Sequence, residues 1–207
     1  MEQLILNSGV LIAFEGIDGT GKSTQCRIFS ELLNKKKITN KIFAEPTKGK
    51  WGMKIRQLLT EGRKEISPEE ELEWFVNDRR EDVENNIQPA LNAGKVVLMD
   101  RYYFSTAAYQ GALGFNPEQI KIDNEKFAPK PDRVLIFHNP PEKSLERIES
   151  SRDGKSAFEK TDYLIDVQNI FKSFTGSKIR FISSEGSLKE VHKQVLIEVQ
   201  DLFDQKL

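Results

Sequence analysis

The chain has 207 residues and nearly balanced charge, with 31 lysines and arginines against 32 aspartates and glutamates. Nucleic-acid-binding proteins usually carry a basic excess or stripe, so this balance argues against a nucleic-acid partner. The single cysteine, Cys26, excludes an intrachain disulfide and favours a reducing compartment. No apolar run approaches the roughly 18 residues of a membrane span, so we expect one cytoplasmic domain over residues 1–207 that does not bind a membrane.

Apolar runs alternate with helix-forming segments along the whole chain. In chain order, the pattern predicts strand Val10–Phe14, a helix at about Lys22–Lys37, strand Lys41–Ala44, helix Met53–Leu59 and a long helix from Ser67 to Asn92. It continues with strand Lys95–Met99, helices Ser105–Leu113 and Pro117–Phe127, strand Arg133–Phe137, helices Pro141–Ser150 and Phe158–Phe174, strand Lys178–Ile182 and helix Ser187–Leu207. Strands separated by helices predict an α/β fold, with a parallel sheet covered by helices on both faces.

A glycine-rich segment, GIDGTGKST, directly follows the first predicted strand. It fits the pattern G-x-x-x-x-G-K-[ST], in which glycines let backbone N–H groups approach phosphate oxygens. In such a loop the lysine contacts phosphate, the serine hydroxyl can bind Mg²⁺, and the helix N-terminus attracts the anion. We therefore expect nine residues to bind ATP: Gly16, Ile17, Asp18, Gly19, Thr20, Gly21, Lys22, Ser23 and Thr24. The alternative is an ordinary glycine-rich turn.

Charged residues also follow the later strands. Asp100 and Arg101 come directly after a buried strand, and Glu45–Pro46 follows the second strand. Because ligands of parallel sheets bind beyond the carboxyl ends of the strands, we expect these residues to converge with Asp18 on one cleft. Arg101 suits bidentate binding of a phosphate and Asp100 suits a position near a metal ion, although the two could form a purely structural pair.

Phe75 and Arg79 lie four residues apart in a predicted helix. Residues at this spacing share one face, so an aromatic ring and a forked donor could address one planar base together. The alternative is a phenylalanine in the core and an arginine on the surface.

Four segments, in this order, resemble the thymidylate kinase family of P-loop nucleoside monophosphate kinases. They are FEGIDGTGKST from Phe14 to Thr24, the pair Glu45–Pro46, WFVNDRRE from Trp74 to Glu81 and DRYYFSTAAYQG from Asp100 to Gly111. The resemblance implies a three-layer P-loop fold with a five-stranded sheet in the order 2-3-1-4-5. It also implies Mg²⁺-dependent transfer of a phosphoryl group from ATP to dTMP, and a homodimer, which is common in the family.

The resemblance also implies roles for individual residues. Phe75 would stack on thymine, Arg79 would bond its exocyclic oxygen, and Arg101 would hold the acceptor phosphate. The implied substrate-binding residues are Glu45, Pro46, Phe75, Arg79, Asp100, Arg101, Ser105, Thr106, Tyr109 and Gln110. The implied catalytic residues are Asp18, Lys22, Arg101 and Arg152, and the implied metal site comprises Asp18, Ser23 and Asp100.

Some members of the family carry an arginine in the phosphate loop, at the position that Gly19 occupies here. We therefore expect a lid loop at about residues 147–157 to supply that charge, with Arg152 as first choice; a solvated basic loop is the alternative. Two other functions stay open at this point. One is a kinase for another acceptor, such as dUMP, CMP or a deoxynucleoside, and the other is a module that binds ATP without transferring phosphate.

Overall fold

The computed structural model describes residues 8–63, 66–140 and 157–204. The predicted helix at Pro141–Ser150, the lid loop with Arg152, and the end of the last predicted helix lie outside these ranges. No helix within them combines the length and the apolar character needed to cross a lipid bilayer.

Five parallel strands form one sheet: β1 (Val10–Glu15), β2 (Asn40–Ala44), β3 (Val96–Asp100), β4 (Arg133–His138) and β5 (Ile179–Ser183). Their order is β2-β3-β1-β4-β5, which confirms the expected topology. The register places Asp100 beside Phe14 on one side and beside Ala44 on the other. The carboxyl ends of the three neighbouring strands therefore lie side by side.

Helices cover both faces of the sheet. They are α1 (Lys22–Lys35), α2 (Lys50–Glu61), α3 (Pro68–Asp82), α4 (Gln88–Asn92), α5 (Tyr103–Gly111), α6 (Pro117–Glu125), α7 (Ala157–Ser173) and α8 (Leu188–Asp204). Alternate residues of β1 enter two separate cores, one containing Leu11 and Ala13 and the other Val10, Ile12 and Phe14. Helices α4 to α7 contribute to the first core, and α1 and α8 to the second, where Cys26 is 1% exposed.

The prediction of one regular helix from Ser67 to Asn92 was wrong in its middle. The predicted start at Ser67 is confirmed, because Ser67 caps α3: its Oγ accepts a hydrogen bond of 3.2 Å from Glu70 N. After α3, however, a π-helical turn at Val83–Ile87 precedes α4. Pro89 cannot donate to the carbonyl four residues earlier, and its ring pushes that carbonyl aside, so the wider turn accommodates it.

Candidate active site

The glycine-rich segment forms the loop between β1 and α1. Gly16 has φ of +128°, and a Cβ atom there would lie 2.3 Å from the carbonyl oxygen of Phe137, so a side chain cannot be accommodated. The loop closes around the carbonyl oxygen of Ile17, which accepts hydrogen bonds from Thr20 Oγ1 at 2.8 Å and Lys22 Nζ at 3.3 Å. Gly21, just before α1, offers no side chain to cap the helix. The first amides of α1 are therefore available to an anion.

One exposed carboxylate, Asp18, connects this loop to the end of β3. Its Oδ1 accepts a hydrogen bond of 2.7 Å from Arg101 Nη2 and lies 3.6 Å from Lys22 Nζ. The positive charges of Arg101 and Lys22 hold the pKa of Asp18 well below its usual range. Burial and the nearby Arg101 lower the pKa of Lys22 to about 8. Two cations therefore converge on a single point, a geometry suited to a phosphate as well as to a carboxylate.

Arg101 is held by both its backbone and its side chain. Its φ of +71° is left-handed, which is uncommon without glycine, and its N–H donates to Phe14 O at 3.0 Å. The guanidinium donates to Ser105 Oγ at 2.9 Å and to Tyr109 Oη at 3.2 Å, and it lies 5.0 Å from the centre of the Tyr109 ring. The direction of the fork is therefore set before any ligand binds.

Beside Arg101 lies a cleft enclosing about 620 Å³ of empty space, open mouth included. All the predicted substrate-binding residues except Asp100 line it, together with Asp18: Glu45, Pro46, Phe75, Arg79, Arg101, Ser105, Thr106, Tyr109 and Gln110. Its wall also contains four residues that we did not predict, namely Leu59, Arg63, Glu71 and Tyr102.

Arg79 forms the floor of this cleft and is only 1% exposed, so the alternative of a surface arginine was wrong. Its guanidinium is paired with Glu45 and donates to Thr106 Oγ1 at 3.0 Å and Asn124 Oδ1 at 2.7 Å. Burial raises the pKa of Glu45, and the charge of Arg79 opposes that shift. The buried Nε of Arg79 has no hydrogen-bond partner among the described residues. The arginine therefore keeps donor capacity for a ligand.

A second buried acid, Glu15, supports the site from behind, and our sequence reasoning missed it. It is fully buried and accepts hydrogen bonds from Tyr102 N at 2.8 Å and Ser105 Oγ at 2.5 Å. Ser105 in turn accepts one from Arg101, so Glu15 orients the hydroxyl that holds the guanidinium. Burial raises the pKa of Glu15 to about 7. A charged residue at the end of a wholly apolar strand was the signal that could have identified it.

The raised pKa of Glu15 makes the stability of the protein depend on pH. The carboxyl binds its proton more tightly in the folded state than in the unfolded state, where its pKa is near 4.5. The contribution of this proton to stability is therefore complete below pH 4.5 and is lost as pH rises through about 7. Glu15→Gln imitates the protonated form. We expect its free energy of unfolding, relative to wild type, to increase by about 2–3 kcal/mol between about pH 5 and about pH 8. Urea denaturation at several pH values measures this difference.

The matched control is Glu31→Gln, which neutralises an exposed acid on α1. Its stability relative to wild type should stay within about 0.5 kcal/mol across the same range. A Glu15→Gln curve parallel to that of this control would contradict the expected proton linkage.

The three residues predicted for a metal site differ in their surroundings. Ser23 and Asp18 are exposed, in the first turn of α1 and in the loop before it, whereas Asp100 is half-buried at the end of β3, outside the cleft lining. The buried Oδ1 of Asp100 has no hydrogen-bond partner in the described ranges. Those ranges also contain no cluster of three or more His, Cys, Asp or Glu side chains arranged to hold a metal. A hydroxyl and an orphaned carboxylate oxygen fit Mg²⁺, which prefers oxygen ligands and usually retains several waters beside phosphates.

Comparison with known proteins gives consistent matches along the chain. A family model described as thymidylate kinase matches residues 14–195. A thymidylate kinase of Desulfotalea psychrophila is 46% identical over 198 residues, covering 95% of this chain and 97% of that protein. A probable thymidylate kinase of Archaeoglobus fulgidus is 41% identical over 197 residues, covering 95% and 98%. A thymidylate kinase of Akkermansia muciniphila is 43% identical over 187 residues, covering 90% and 89%.

Proposed function

The chain belongs to the thymidylate kinase family, and we propose that it transfers the γ-phosphoryl group of ATP to dTMP, giving dTDP and ADP. In this proposal the phosphate loop binds the donor and the cleft binds the acceptor. One observation supports this assignment of donor and acceptor sites. Asp18 contacts both Lys22 of the phosphate loop and Arg101 of the cleft, so the two halves of the site meet at one carboxylate. A donor phosphate and an acceptor phosphate held by these two cations would be neighbours.

The donor half is the loop from Gly16 to Thr24. The free amides at the start of α1 and the buried ammonium of Lys22 point to binding of the β- and γ-phosphates of ATP. Lys22 then stabilises charge on the transferring group. Its present contact, the carboxylate of Asp18, is replaced by phosphate oxygens when the nucleotide is bound.

The acceptor half is the cleft. Phe75 offers an aromatic face and Arg79 offers buried donors, a combination that suits the ring and carbonyl edge of a pyrimidine. Arg101, fixed by Ser105 and Tyr109, suits the 5′-phosphate of the acceptor. The Tyr109 ring, packed against that guanidinium, would lie next to the sugar.

The chemistry requires alignment and charge neutralisation more than proton transfer. An acceptor phosphate is already ionised and nucleophilic, so no strong general base is needed. Lys22 and Arg101, which converge on one point, both stabilise the developing charge, and water is displaced as the nucleotides fill the site. Mg²⁺, when bound through Ser23 and the carboxylates of Asp18 and Asp100, supplies further neutralisation of the phosphates. Arg152 remains our proposal for the arginine of the lid.

A panel of acceptors tests this function. With ATP and Mg²⁺ present, we expect ADP release to depend on the acceptor, with kcat/KM higher for dTMP than for dUMP, dCMP or thymidine. Equal kcat/KM values for dTMP and another acceptor would overturn the acceptor assignment. Tight ATP binding without acceptor-dependent ADP release would identify a non-catalytic module instead. Homodimeric assembly and a cytoplasmic location stay predictions.

A further inference from the structure

A buried carboxylate, Glu71, forms part of the cleft wall next to Gln110. It belongs to the first turns of α3 and is 2% exposed. Its Oε1 accepts a hydrogen bond of 2.9 Å from Gln110 Nε2, across from α5. Gln110 is 1% exposed and lines the same cleft. An amide in the wall of the base pocket is therefore tied to an acid on a neighbouring helix.

Glu71 is held as an acceptor by Arg63, which follows α2. Arg63 donates from Nε to Oε2 at 2.6 Å and from Nη2 to Oε1 at 3.0 Å. A guanidinium is always protonated and offers only donors. The position of Glu71 near the N-terminus of α3 also favours negative charge. Both oxygens of Glu71 therefore face donors, and the carboxylate has no proton to give to Gln110.

These contacts fix the orientation of the Gln110 side-chain amide, that is, the positions of its Nε2 and Oε1 atoms. An acceptor-only carboxylate can bond the NH₂ group of the amide but repels its oxygen, so Nε2 must face Glu71. The remaining atom, Oε1, is buried and has no hydrogen-bond partner within the described part of the chain. An unsatisfied buried acceptor costs free energy until a donor reaches it. The base pocket therefore contains an oxygen that requires a donor.

We propose that Glu71 is a positioning residue for base selectivity: by orienting Gln110, it makes the pocket select a pyrimidine whose N3 carries a hydrogen. Thymine and uracil present N3–H as a donor, whereas N3 of cytosine is an acceptor and would repel Oε1. This inference rests on the proposed function, because it concerns the acceptor that the cleft binds. It assigns the choice between keto and amino pyrimidines partly to a carboxylate whose oxygens are already bonded to Arg63 and Gln110.

The test compares Glu71→Gln with wild type, using kcat/KM for dTMP and for dCMP. A glutamine at position 71 can donate as well as accept, so it permits either orientation of the Gln110 amide. We expect the dTMP-over-dCMP preference to fall about tenfold, the value of one oriented hydrogen bond. KM for dTMP should rise while KM for ATP stays within about twofold, since the donor loop is untouched. A general loss of stability would lower kcat/KM equally for both acceptors and leave the dTMP-to-dCMP ratio of kcat/KM unchanged.

Glu73→Gln is the matched control, since Glu73 is an exposed acid on the same helix that does not line the cleft. It should keep the wild-type preference. Should Glu71→Gln fail to fold, Glu71→Asp retains the charge but withdraws it from Gln110, and a smaller loss of preference is expected. A folded Glu71 variant with an unchanged ratio overturns the inference. A wild-type protein that does not prefer dTMP overturns the proposed function instead, whatever the variants do.

Discussion

Replacing Lys22 by alanine is expected to lower kcat about 100- to 1,000-fold while the acceptor cleft and the rest of the phosphate loop stay intact. The side chain is 5% exposed, and its ammonium donates to Ile17 O inside the loop that is proposed to bind the triphosphate. A preorganised charge in a site that excludes water contributes on this scale to transition-state stabilisation, because no solvent reorganisation is needed. Steady-state rates at saturating ATP and dTMP measure the loss.

Lys35→Ala is the appropriate control, because Lys35 belongs to the same helix but is exposed in its last turn. Its kcat should stay within about twofold of wild type. Thermal unfolding of both variants separates catalytic loss from loss of fold. A folded Lys22→Ala protein that retains more than about one tenth of the wild-type kcat would show that the loop lysine does not have the proposed role.

Arg79→Met is expected to destabilise the fold by about 3–5 kcal/mol. The substitution removes the partner of Glu45, which is 7% exposed and lies under the cleft. Glu45 must then be buried as an unpaired charge or take up a proton, and both cost free energy. Adding Glu45→Gln to Arg79→Met removes the stranded acid and should restore part of the loss. A double-mutant cycle by urea denaturation measures the coupling between the two side chains.

Arg80→Met provides the comparison, since Arg80 is the next residue of α3, exposed and stacked 4.0 Å from the centre of the Phe127 ring. Its cost should be below about 1 kcal/mol. Equal stabilities of Arg79→Met and Arg80→Met, or simple additivity of Arg79→Met and Glu45→Gln, would contradict the importance of the buried pair. Binding gives a second measure: KM for dTMP should rise in Arg79→Met and remain unchanged in Arg80→Met.

The sheet could be predicted because each strand carries its own local signal. Apolar runs mark the strands, and a phosphate loop after the first of them restricts the possible topologies. The strand order itself was implied by the family resemblance and agrees with the observed order. The bounds shifted by a few residues, since helix ends depend on capping and packing that a local pattern does not contain. The predicted helix Met53–Leu59 was too short at its start, because α2 begins at Lys50 and includes Gly52, where an added Cβ would collide with the Thr47 backbone.

The partners within the site could not be predicted in the same way. Spacing placed Phe75 and Arg79 on one face, but the pairing of Arg79 with Glu45 joins residues 34 positions apart. No local periodicity encodes such a contact. Glu71 was within reach, because it precedes Phe75 by four residues and continues the same face of α3. We did not single it out, because acidic side chains in the first turn of a helix usually face solvent and interact with the helix dipole.

The left-handed backbone at Arg101 restricts the mutational routes open to this enzyme. Residues that adopt this conformation at low cost are glycine, asparagine and aspartate, and none of them carries the planar cationic fork that suits a phosphate. A substitution at position 101 must therefore meet two requirements: the new residue must tolerate the left-handed backbone, and its side chain must bind the phosphate. Adaptation to a different acceptor should leave this residue in place and change the cleft walls instead.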